Sequence, residues 1–410
     1  ELPLNLGFSP GRWEKTCTLM LEKSPDHGPR LDKLRVIHLL EADYNFVLKL
    51  IWGRRLMRRA HENRLLSGAQ HARPGHMAQS AVLSKVLSYD LIRLAKKVAA
   101  SMDNDAAGCY DKIVPPHGNV CCRRIGLPKS AAKMLAAVLN NTVYYLRTGH
   151  GESARTYCSD QIRRILGTGQ GSGASPCIWS AILDTILWSI AQKYMLFKLS
   201  GPTGKTISKL GDAYVDDTAL MYVAQENETK AEGRKEVIEQ ITNIAQDFEK
   251  KLFSTGGELA LHKCYWYLID WTWEKDGSAH MCTIEESKGE MKLTKGFERG
   301  TVDIKRLECT DAVRTIGVRI CPSGQNLTEY RYRLHQTRKF ATKLKGSRMS
   351  RSQAIRAYKT IYIPMISYPL GASTLTERQL RKLHSIVEQA YLPKGGLNRK
   401  FPKAVLRGPT

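Results

Sequence analysis

The chain has no long apolar run and no cysteine spacing that is typical of a zinc site. No run approaches the roughly 20 apolar residues of a membrane-spanning helix, and the start at Glu1 shows neither a signal peptide nor an initiator methionine. The ten cysteines are scattered, and none of them forms a CxxC pair or a Cys/His quartet with zinc-site spacing. We therefore expect a soluble intracellular fragment of a longer protein, with reduced thiols and no membrane partner.

Acidic residues are also scarce. Only 39 Asp and Glu oppose 63 Lys and Arg, which leaves a formal net charge of +24. Residues 330–410 hold 18 Lys and Arg against Glu377 and Glu388 alone, a net +16. This charge favours a polyanionic partner, with nucleic acid ahead of an anionic membrane surface. At 410 residues and 42% hydrophobic content, the chain is long enough for two or three lobes with buried cores.

Apolar spacing predicts a helical C-terminal region preceded by mixed elements. Pro364 and Pro369 interrupt the helical pattern. The middle of the chain, from about 91 to 320, alternates strand-like and helix-like runs, so we expect the chemistry there. The predicted elements are helices over residues 330–345, 350–362 and 376–391, a strand over 34–40 and a helix over 51–66.

Two acidic sites stand out in that middle region. The stretch GDAYVDDTALMY (211–222) sets Asp216 and Asp217 between two apolar runs, which predicts a tight hairpin with both residues at its tip. An Asp in a turn usually caps its own backbone. However, SMDNDAAGCYDKIV (101–114) adds Asp105 after a second apolar approach, together with Asp103 and Asp111. If Asp105 ends a strand beside the hairpin, three carboxylates converge.

Converging carboxylates repel one another unless cations neutralise them. Clusters of Asp oxygens suit Mg²⁺, which retains water and takes substrate phosphates as further ligands. Two such ions about 3.5–4 Å apart can activate an attacking hydroxyl and stabilise a leaving oxygen. In a protein of charge +24, this chemistry indicates nucleotidyl transfer.

A third segment, LGTGQGSGASPCIWSAILDTILWSI (166–190), runs from a glycine-rich loop into a helix. Its glycines let the backbone approach a ligand closely, and Ser175-Pro176 fits an N-cap and first helical position. Isoleucine recurs every fourth residue from Ile178 to Ile190, which indicates a core helix. The loop is then rigid enough to shape a nucleotide pocket, although an ordinary glycine-rich turn is the alternative.

Together these segments resemble the polymerase motifs of reverse transcriptases. DAAGCYD (105–111) resembles motif A, GQGSGASP (169–176) motif B and YVDD (214–217) motif C, in the expected order. The glycine-rich loop is more similar to that of non-LTR retrotransposon and group II intron enzymes than to that of retroviral enzymes.

Weaker similarities extend this resemblance over most of the chain. LRVI (34–37) resembles the RPI element of the fingers, with Val36 in place of the usual proline, and QHARPG (70–75) resembles the stretch after it. GELALHK (257–263) resembles motif D, and TIGVRI (315–320) resembles the primer-grip motif E.

The resemblance implies an α+β fold, a right-hand polymerase with fingers, palm and thumb. The palm would be an antiparallel sheet backed by helices over 175–195 and 226–252, and the thumb would be helical and basic. The implied boundaries are fingers over 1–90 and 118–166, palm over 91–117 and 167–325, and thumb over 326–410.

The resemblance also implies a two-metal site. Asp105, Asp216 and Asp217 would bind two Mg²⁺ ions, for which Mn²⁺ can substitute, with the Ala106 carbonyl as a further ligand. Asp216 is the stronger candidate of the adjacent pair, and we interpret Asp212 as a turn residue only.

Other residues match nucleotide-binding positions of the family. Arg35 would contact the triphosphate, and Gln170 and Gly171 would line the nucleotide pocket. Lys263 is a candidate proton donor to pyrophosphate, for which a surface lysine is the alternative. The Tyr110 ring would lie against the sugar and exclude a 2′-hydroxyl, which favours deoxynucleotides.

The implied activity is that of an RNA-directed DNA polymerase. Its partners would be an RNA template, a DNA or RNA primer, and dNTPs. Two alternatives remain from the sequence: a decayed or domesticated reverse-transcriptase fold that only binds RNA, and an RNA-dependent RNA polymerase.

Overall fold

The computed structural model describes residues 1–22, 34–160, 165–200, 203–224, 230–296, 298 and 300–402. The α-helices are α1 (Leu2–Leu6), α2 (Ala42–Leu48), α3 (Met57–Glu62), α4 (Ala78–Ala95), α5 (Cys109–Lys112), α6 (Pro115–Arg124), α7 (Lys129–Asn141), α8 (Ser175–Lys193), α9 (Lys230–Ser254), α10 (Leu327–Gly346), α11 (Arg351–Ala357), α12 (Ile363–Ser367) and α13 (Glu377–Lys394). Segments Lys49–Leu56 and Tyr358–Tyr362 are π-helical.

The strands form several sheets and hairpins. They are β1 (Lys15–Glu22), β2 (Leu34–Leu39), β3 (Ala99–Asp105), β4 (Val143–Thr148), β5 (Gly151–Cys158), β6 (Phe197–Ser200), β7 (Thr206–Lys209), β8 (Gly211–Tyr214), β9 (Asp217–Val223), β10 (Tyr265–Ile269), β11 (Trp271–Trp273), β12 (Ala279–Met281), β13 (Lys292–Thr294), β14 (Thr301–Asp303), β15 (Lys305–Arg306), β16 (Val313–Thr315) and β17 (Val318–Ile320).

The chain divides into two compact units. Unit 1 comprises Glu1–Met77, Lys97–Asp270 and Ser287–Arg306. Unit 2 comprises Ala78–Lys96, Trp271–Glu286 and Leu307–Thr410. The assignment of fingers, palm and thumb stays a prediction.

A five-stranded sheet of order β15-β10-β3-β9-β8 forms the centre of unit 1. All its pairs are antiparallel except β15 with β10. Helix α9 packs on β3 and β9, and it also contacts α8. The predicted α+β architecture, with an antiparallel-rich sheet and helices behind it, is confirmed at this level.

Both backing helices bury apolar residues that recur at helical spacing. In α8, Ile178, Ile182, Ile186 and Ile190 are all buried, as their four-residue spacing predicts. Buried residues of α9 recur at three- and four-residue intervals from Val237 to Leu252, so α9 lays one apolar face on the sheet. Burying one such side chain is worth about 1.5–3 kcal/mol.

Unit 1 also holds a four-stranded sheet of order β2-β1-β4-β5. Strand β2 confirms the strand predicted over 34–40. From Ala42 to Glu62 the chain is continuously helical, through α2, the π-helical segment and α3. The predicted helix over 51–66 therefore starts earlier and ends earlier than its apolar pattern indicates.

Unit 2 is mainly helical, and α10 packs along α13. Capping boxes begin two of its helices, with Ser350 and Gln353 at α11 and Thr376 and Gln379 at α13. These starts agree with the helices predicted over 350–362 and 376–391.

The predicted break at Pro364 is wrong. Helical structure continues from Arg351 to Gly371, and Pro364 lies in the first turn of α12, directly after the π-helical segment. The hydrogen-bond ladder changes register there, so the N–H that proline lacks is not required. Pro369 instead lies in the final 3₁₀ turn. No helix in the described part of the chain is long and apolar enough to span a membrane.

Candidate active site

The adjacent carboxylates lie at the tip of a tight hairpin. Strands β8 and β9 pair up to Tyr214 and Asp217, so Val215 and Asp216 form the connection. Val215 has φ of 57°, in the left-handed region that β-branched residues rarely adopt. Trp179 of α8 donates its indole N–H to the Val215 carbonyl at 2.7 Å. The predicted hairpin is thus present, Asp216 and Asp217 are exposed, and a buried helix holds the turn.

Strand β3 brings the third carboxylate to the same place. It pairs antiparallel with β9, and its last residue, Asp105, lies directly opposite Asp217. Opposed residues on antiparallel strands have Cα atoms about 4.5–5.5 Å apart and side chains on the same face. The predicted placement of Asp105 at the end of a strand beside the hairpin is confirmed.

Lys263 meets Asp105 from a neighbouring segment. It ends the 3₁₀ turn Leu261–Lys263, and its Nζ lies 2.8 Å from Asp105 Oδ2, with 59% of the lysine side chain and 34% of the aspartate side chain exposed. Backbone bonds hold this segment in place, because Ala260 N–H donates to the Asp105 carbonyl at 2.8 Å and Ala107 N–H donates to the Glu258 carbonyl at 2.9 Å. Neither bond uses the carbonyl of Ala106.

The donor atoms fit a hard cation, but they are not gathered around one point. Asp105, Asp216 and Asp217 offer the carboxylate oxygens that Mg²⁺ prefers. Among the described residues, however, no group of three or more His, Cys, Asp or Glu side chains is arranged to hold a metal ion. The amine of Lys263 supplies positive charge at Asp105 instead.

The glycine-rich loop packs on the segment that follows Asp105. Gly167 N–H donates to the Ile113 carbonyl at 2.7 Å, and Thr168 N–H donates to the Tyr110 carbonyl at 2.9 Å. A Cβ added at Gly167 would lie 2.7 Å from backbone atoms of Asp111, so only glycine permits this approach. The Gln170 amide also donates to Asp111 Oδ2 at 3.2 Å. The two predicted segments therefore form one structure.

A second set of contacts holds the other side of the loop. The Asn45 side chain donates to the Gly171 carbonyl at 3.0 Å and accepts from Gly173 N–H at 2.7 Å. His38 N–H donates to the Gln170 carbonyl at 2.7 Å. Sequence reasoning missed Asn45 and His38, because each lies in an ordinary helix or strand pattern far from the loop along the chain.

Tyr110 is half-buried near the carboxylates. Burial raises the pKa of its phenol well above the usual range, and the neighbouring Cys109 and Asp216 groups add to this effect. Burial and Asp216 also raise the pKa of the Cys109 thiol to about 12. Both groups therefore stay neutral near pH 7, and both lie within the electrostatic field of Asp216.

Arg35 is not brought to the glycine-rich loop by its strand. It is exposed on β2, opposite Leu21 of β1. His38, whose ring lies against Gly169, is three residues further along the same strand. Because side chains alternate along a strand, Arg35 and His38 point to opposite faces.

The interpretation of Asp212 as a turn residue is wrong. Asp212 lies in β8, and only 4% of its side chain is exposed. Its Oδ1 is 3.0 Å from His71 Nε2, and its Oδ2 accepts from Lys209 Nζ at 2.6 Å. His71 N–H also donates to the Ala213 carbonyl at 2.8 Å, so residues 69–71 flank β8. The carboxylate is buried because long-range partners satisfy it.

No protein-family model and no curated protein matches the chain. Among solved structures, it is similar to telomerase from Candida albicans in complex with a TWJ fragment of telomeric RNA, with 13% identity and a TM-score of 0.42 over 97% of this chain and 64% of that one. It is also similar to telomerase from Candida tropicalis in complex with the same kind of RNA fragment, with 12% identity and a TM-score of 0.42 over 94% of this chain and 59% of that one. The chain thus spans less than two thirds of the length of either structure.

Proposed function

We propose that the protein is an RNA-directed DNA polymerase of the non-LTR retrotransposon or group II intron type. One observation carries this proposal: Asp105 lies opposite Asp217, beside Asp216, at one end of an antiparallel sheet. The glycine-rich loop that is hydrogen-bonded to the Tyr110–Asp111 segment supports it.

Asp105, Asp216 and Asp217 would hold the two Mg²⁺ ions of nucleotidyl transfer. The ions would supply activation of the primer 3′-hydroxyl and stabilisation of the leaving pyrophosphate oxygen. Lys263 neutralises Asp105 in this structure. In the reaction, its ammonium group would exchange that contact for one with pyrophosphate and donate a proton there.

The nucleotide would bind between the glycine-rich loop and the Tyr110 segment. Gln170 and Gly171 line this region, and Asn45 fixes the carbonyl direction of Gly171. The neutral, half-buried ring of Tyr110 would exclude a 2′-hydroxyl and thereby select dNTPs.

A basic stripe on α10 supports nucleic acid as the polymeric substrate. Arg331, Arg338 and Lys345 are exposed at seven-residue intervals, and His335 lies exposed between the first two. Residues seven apart share one helix face. Such a face suits the phosphate backbone of a primer and template.

The test is extension of a DNA primer annealed to an RNA template, with dNTPs and Mg²⁺. We expect the wild-type protein to extend the primer and the Asp216→Asn variant to give no product above background. Equal inactivity of both proteins would contradict the proposal. Extension with NTPs rather than dNTPs would identify an RNA polymerase instead.

A second candidate function is an RNA-binding module that retains the fold without the chemistry. The ion pair of Lys263 with Asp105 favours it, because the lysine occupies a carboxylate that would otherwise be open to a metal ion. RNA binding with a steep salt dependence, combined with no extension by either nucleotide type, would support this candidate.

A further inference from the structure

The helical stretch from Ala42 to Glu62 exposes a run of arginines that the polymerase chemistry does not use. Its inner face is fully buried, and the residues on it include Tyr44, Trp52 and Ala60. On the outside, Arg54, Arg55, Arg58 and Arg59 are all exposed, and we call these four residues the arginine face. Because the buried residues lie on the inner face, the arginine face is open to a partner.

The charge of the arginine face is almost uncompensated. Glu62 lies 3.7 Å from Arg58, and both side chains are largely exposed, so this pair contributes little. Within the part of the chain that the structure describes, Arg54, Arg55 and Arg59 have no carboxylate at ion-pair distance. Like charges four residues apart, as in Arg54 with Arg58, destabilise a helix. The C-terminal end of a helix favours cations in its last turn, and of the arginine face that turn of α3 contains Arg59. Most of the charge of the arginine face is therefore available to a polyanionic partner.

An exposed aromatic side chain lies on the same helical stretch. Phe46 is 66% exposed, although it is a large apolar residue. It lies eight residues before Arg54 on the same continuous helical stretch. Exposed Gly53 intervenes and presents no side chain. Aromatic platforms beside basic surfaces are typical of sites for single-stranded nucleic acid, because only an unpaired base can stack on the ring.

The same helix is tied to the glycine-rich loop. Asn45, next to Phe46, makes both side-chain hydrogen bonds to Gly171 and Gly173. A nucleic-acid strand bound along this helix would therefore lie in unit 1 beside the proposed nucleotide pocket. The basic stripe on α10 belongs to unit 2.

We infer that the arginine face and Phe46 bind single-stranded RNA, with guanidinium groups on consecutive phosphates and one unpaired base stacked on the Phe46 ring. Arginine matches phosphate in a two-pronged geometry that lysine cannot form. The choice of RNA rests on the proposed function, while the choice of a single strand rests on Phe46.

The test compares two variants with a matched control. One variant carries Arg54→Gln, Arg55→Gln, Arg58→Gln and Arg59→Gln, and the other carries Phe46→Ala. The control removes four exposed cations elsewhere in unit 1, by Lys15→Gln, Arg123→Gln, Lys129→Gln and Lys133→Gln. Thermal unfolding of each protein checks that the fold is kept. Fluorescence anisotropy gives Kd for a labelled single-stranded RNA, a single-stranded DNA of the same sequence and the RNA duplex across a salt series.

We expect the arginine variant to weaken single-strand binding at least about tenfold and to lower the salt slope by about 2 to 3, since each phosphate contact contributes about 0.7. Phe46→Ala should weaken single-strand binding and leave duplex binding unchanged. Two results would overturn the inference. One is a salt slope for the arginine variant equal to that of the control, and the other is a loss of affinity for the RNA duplex, in both variants, as large as the loss for single-stranded RNA. A preference for single-stranded DNA over RNA would overturn the choice of RNA.

The assay separates this inference from the proposed function. If the arginine variant still extends a pre-annealed primer and template and its affinity for RNA is unchanged, the inference alone is overturned. Absence of extension in every protein, together with the expected loss of RNA affinity, would overturn the proposed function alone.

Discussion

Asp105 and Lys263 are the pair of residues whose contact most directly affects the proposed chemistry. Both side chains are partly exposed, so the ion pair contributes at most about 1 kcal/mol to folding. If Lys263 is the proton donor, its removal should affect the reaction far more than stability.

We therefore predict that Lys263→Met slows single-nucleotide incorporation on the order of a hundredfold at saturating dNTP. Lys263→Arg keeps the cation and should retain more activity. Thermal unfolding of both variants should lie close to wild type. A Lys263→Met variant with unchanged incorporation rate would exclude a role in proton donation.

His38 gives a pH dependence whose sign follows from its burial. Burial lowers the pKa of His38 below its ordinary value, and Asp111 opposes this effect more weakly. The unfolded chain then binds a proton at higher pH than the folded chain does. The stabilising effect of a neutral His38 is complete above about pH 6.5 and is lost as the pH falls through its ordinary pKa toward the lowered value.

We expect His38→Gln to reduce the loss of stability between pH 8 and pH 5.5. Urea unfolding of the wild type and the variant at both pH values measures this difference. Because His76 also has a lowered pKa, some pH dependence should persist in the variant. An identical pH dependence in both proteins would contradict the prediction.

At the scale of elements, the position of the glycine-rich loop depends on the close approach of its backbone to that of β2. Gly171 has φ of 118°, and a Cβ there would lie 2.2 Å from the His38 carbonyl oxygen. Both the dihedral and the close approach disfavour any side chain.

Gly171→Ala should therefore displace the loop and raise KM for dNTP at least about tenfold, with a loss of about 1–3 kcal/mol in stability. Gly300→Ala is the matched control, because a Cβ there meets nothing within 4 Å. Steady-state incorporation kinetics measure KM, and an unchanged KM in Gly171→Ala would show that the loop does not shape the pocket.

The hairpin tip depends in turn on helix α8. Trp179 is buried, and its N–H holds the Val215 carbonyl in a turn with an unfavourable dihedral. Trp179→Phe keeps most of the apolar volume and removes this donor.

We predict that Trp179→Phe costs about 1–3 kcal/mol in stability, because it leaves a carbonyl without its partner. It should also lower kcat more than it raises KM, since Asp216 is part of the released turn. Ile182→Val is the control, because it changes a buried residue of α8 and keeps the Trp179 hydrogen bond. Equal changes in kcat for the two variants would contradict a role for the hydrogen bond.

For the whole molecule, charge distribution is the dominant feature. Two-thirds of the net charge of +24 falls in residues 330–410, and α10 exposes part of it as a regular stripe. Electrostatic binding to nucleic acid scales with the number of phosphates that are neutralised.

Replacement of Arg331, Arg338 and Lys345 by Gln should lower the salt slope for a primer–template duplex by about 2 to 3. The same replacement should leave single-strand binding by the arginine face largely intact. Anisotropy titrations from 50 to about 300 mM salt measure both effects, and an unchanged duplex slope would remove α10 from the binding surface.

Local sequence patterns determined the parts of the site that short segments encode. The hairpin around Asp216, strand β3 ending at Asp105 and the core helix α8 follow from apolar periodicity and turn chemistry. Each is confirmed because its type of secondary structure is encoded by the spacing of its own apolar and turn residues, whichever distant elements it later packs against. The order of the three segments along the chain also carried the resemblance to a polymerase.

Only the tertiary structure decided what holds these segments together. Asn45 reaches Gly171 across 126 residues, and Asp212 is buried because His71 meets it from 141 residues away. Strand alternation turns Arg35 away from the loop, and a π-helical turn lets Pro364 lie within a helix. The contacts of Asn45 and Asp212 depend on which distant elements pack side by side, and neither periodicity nor motif spacing contains that information.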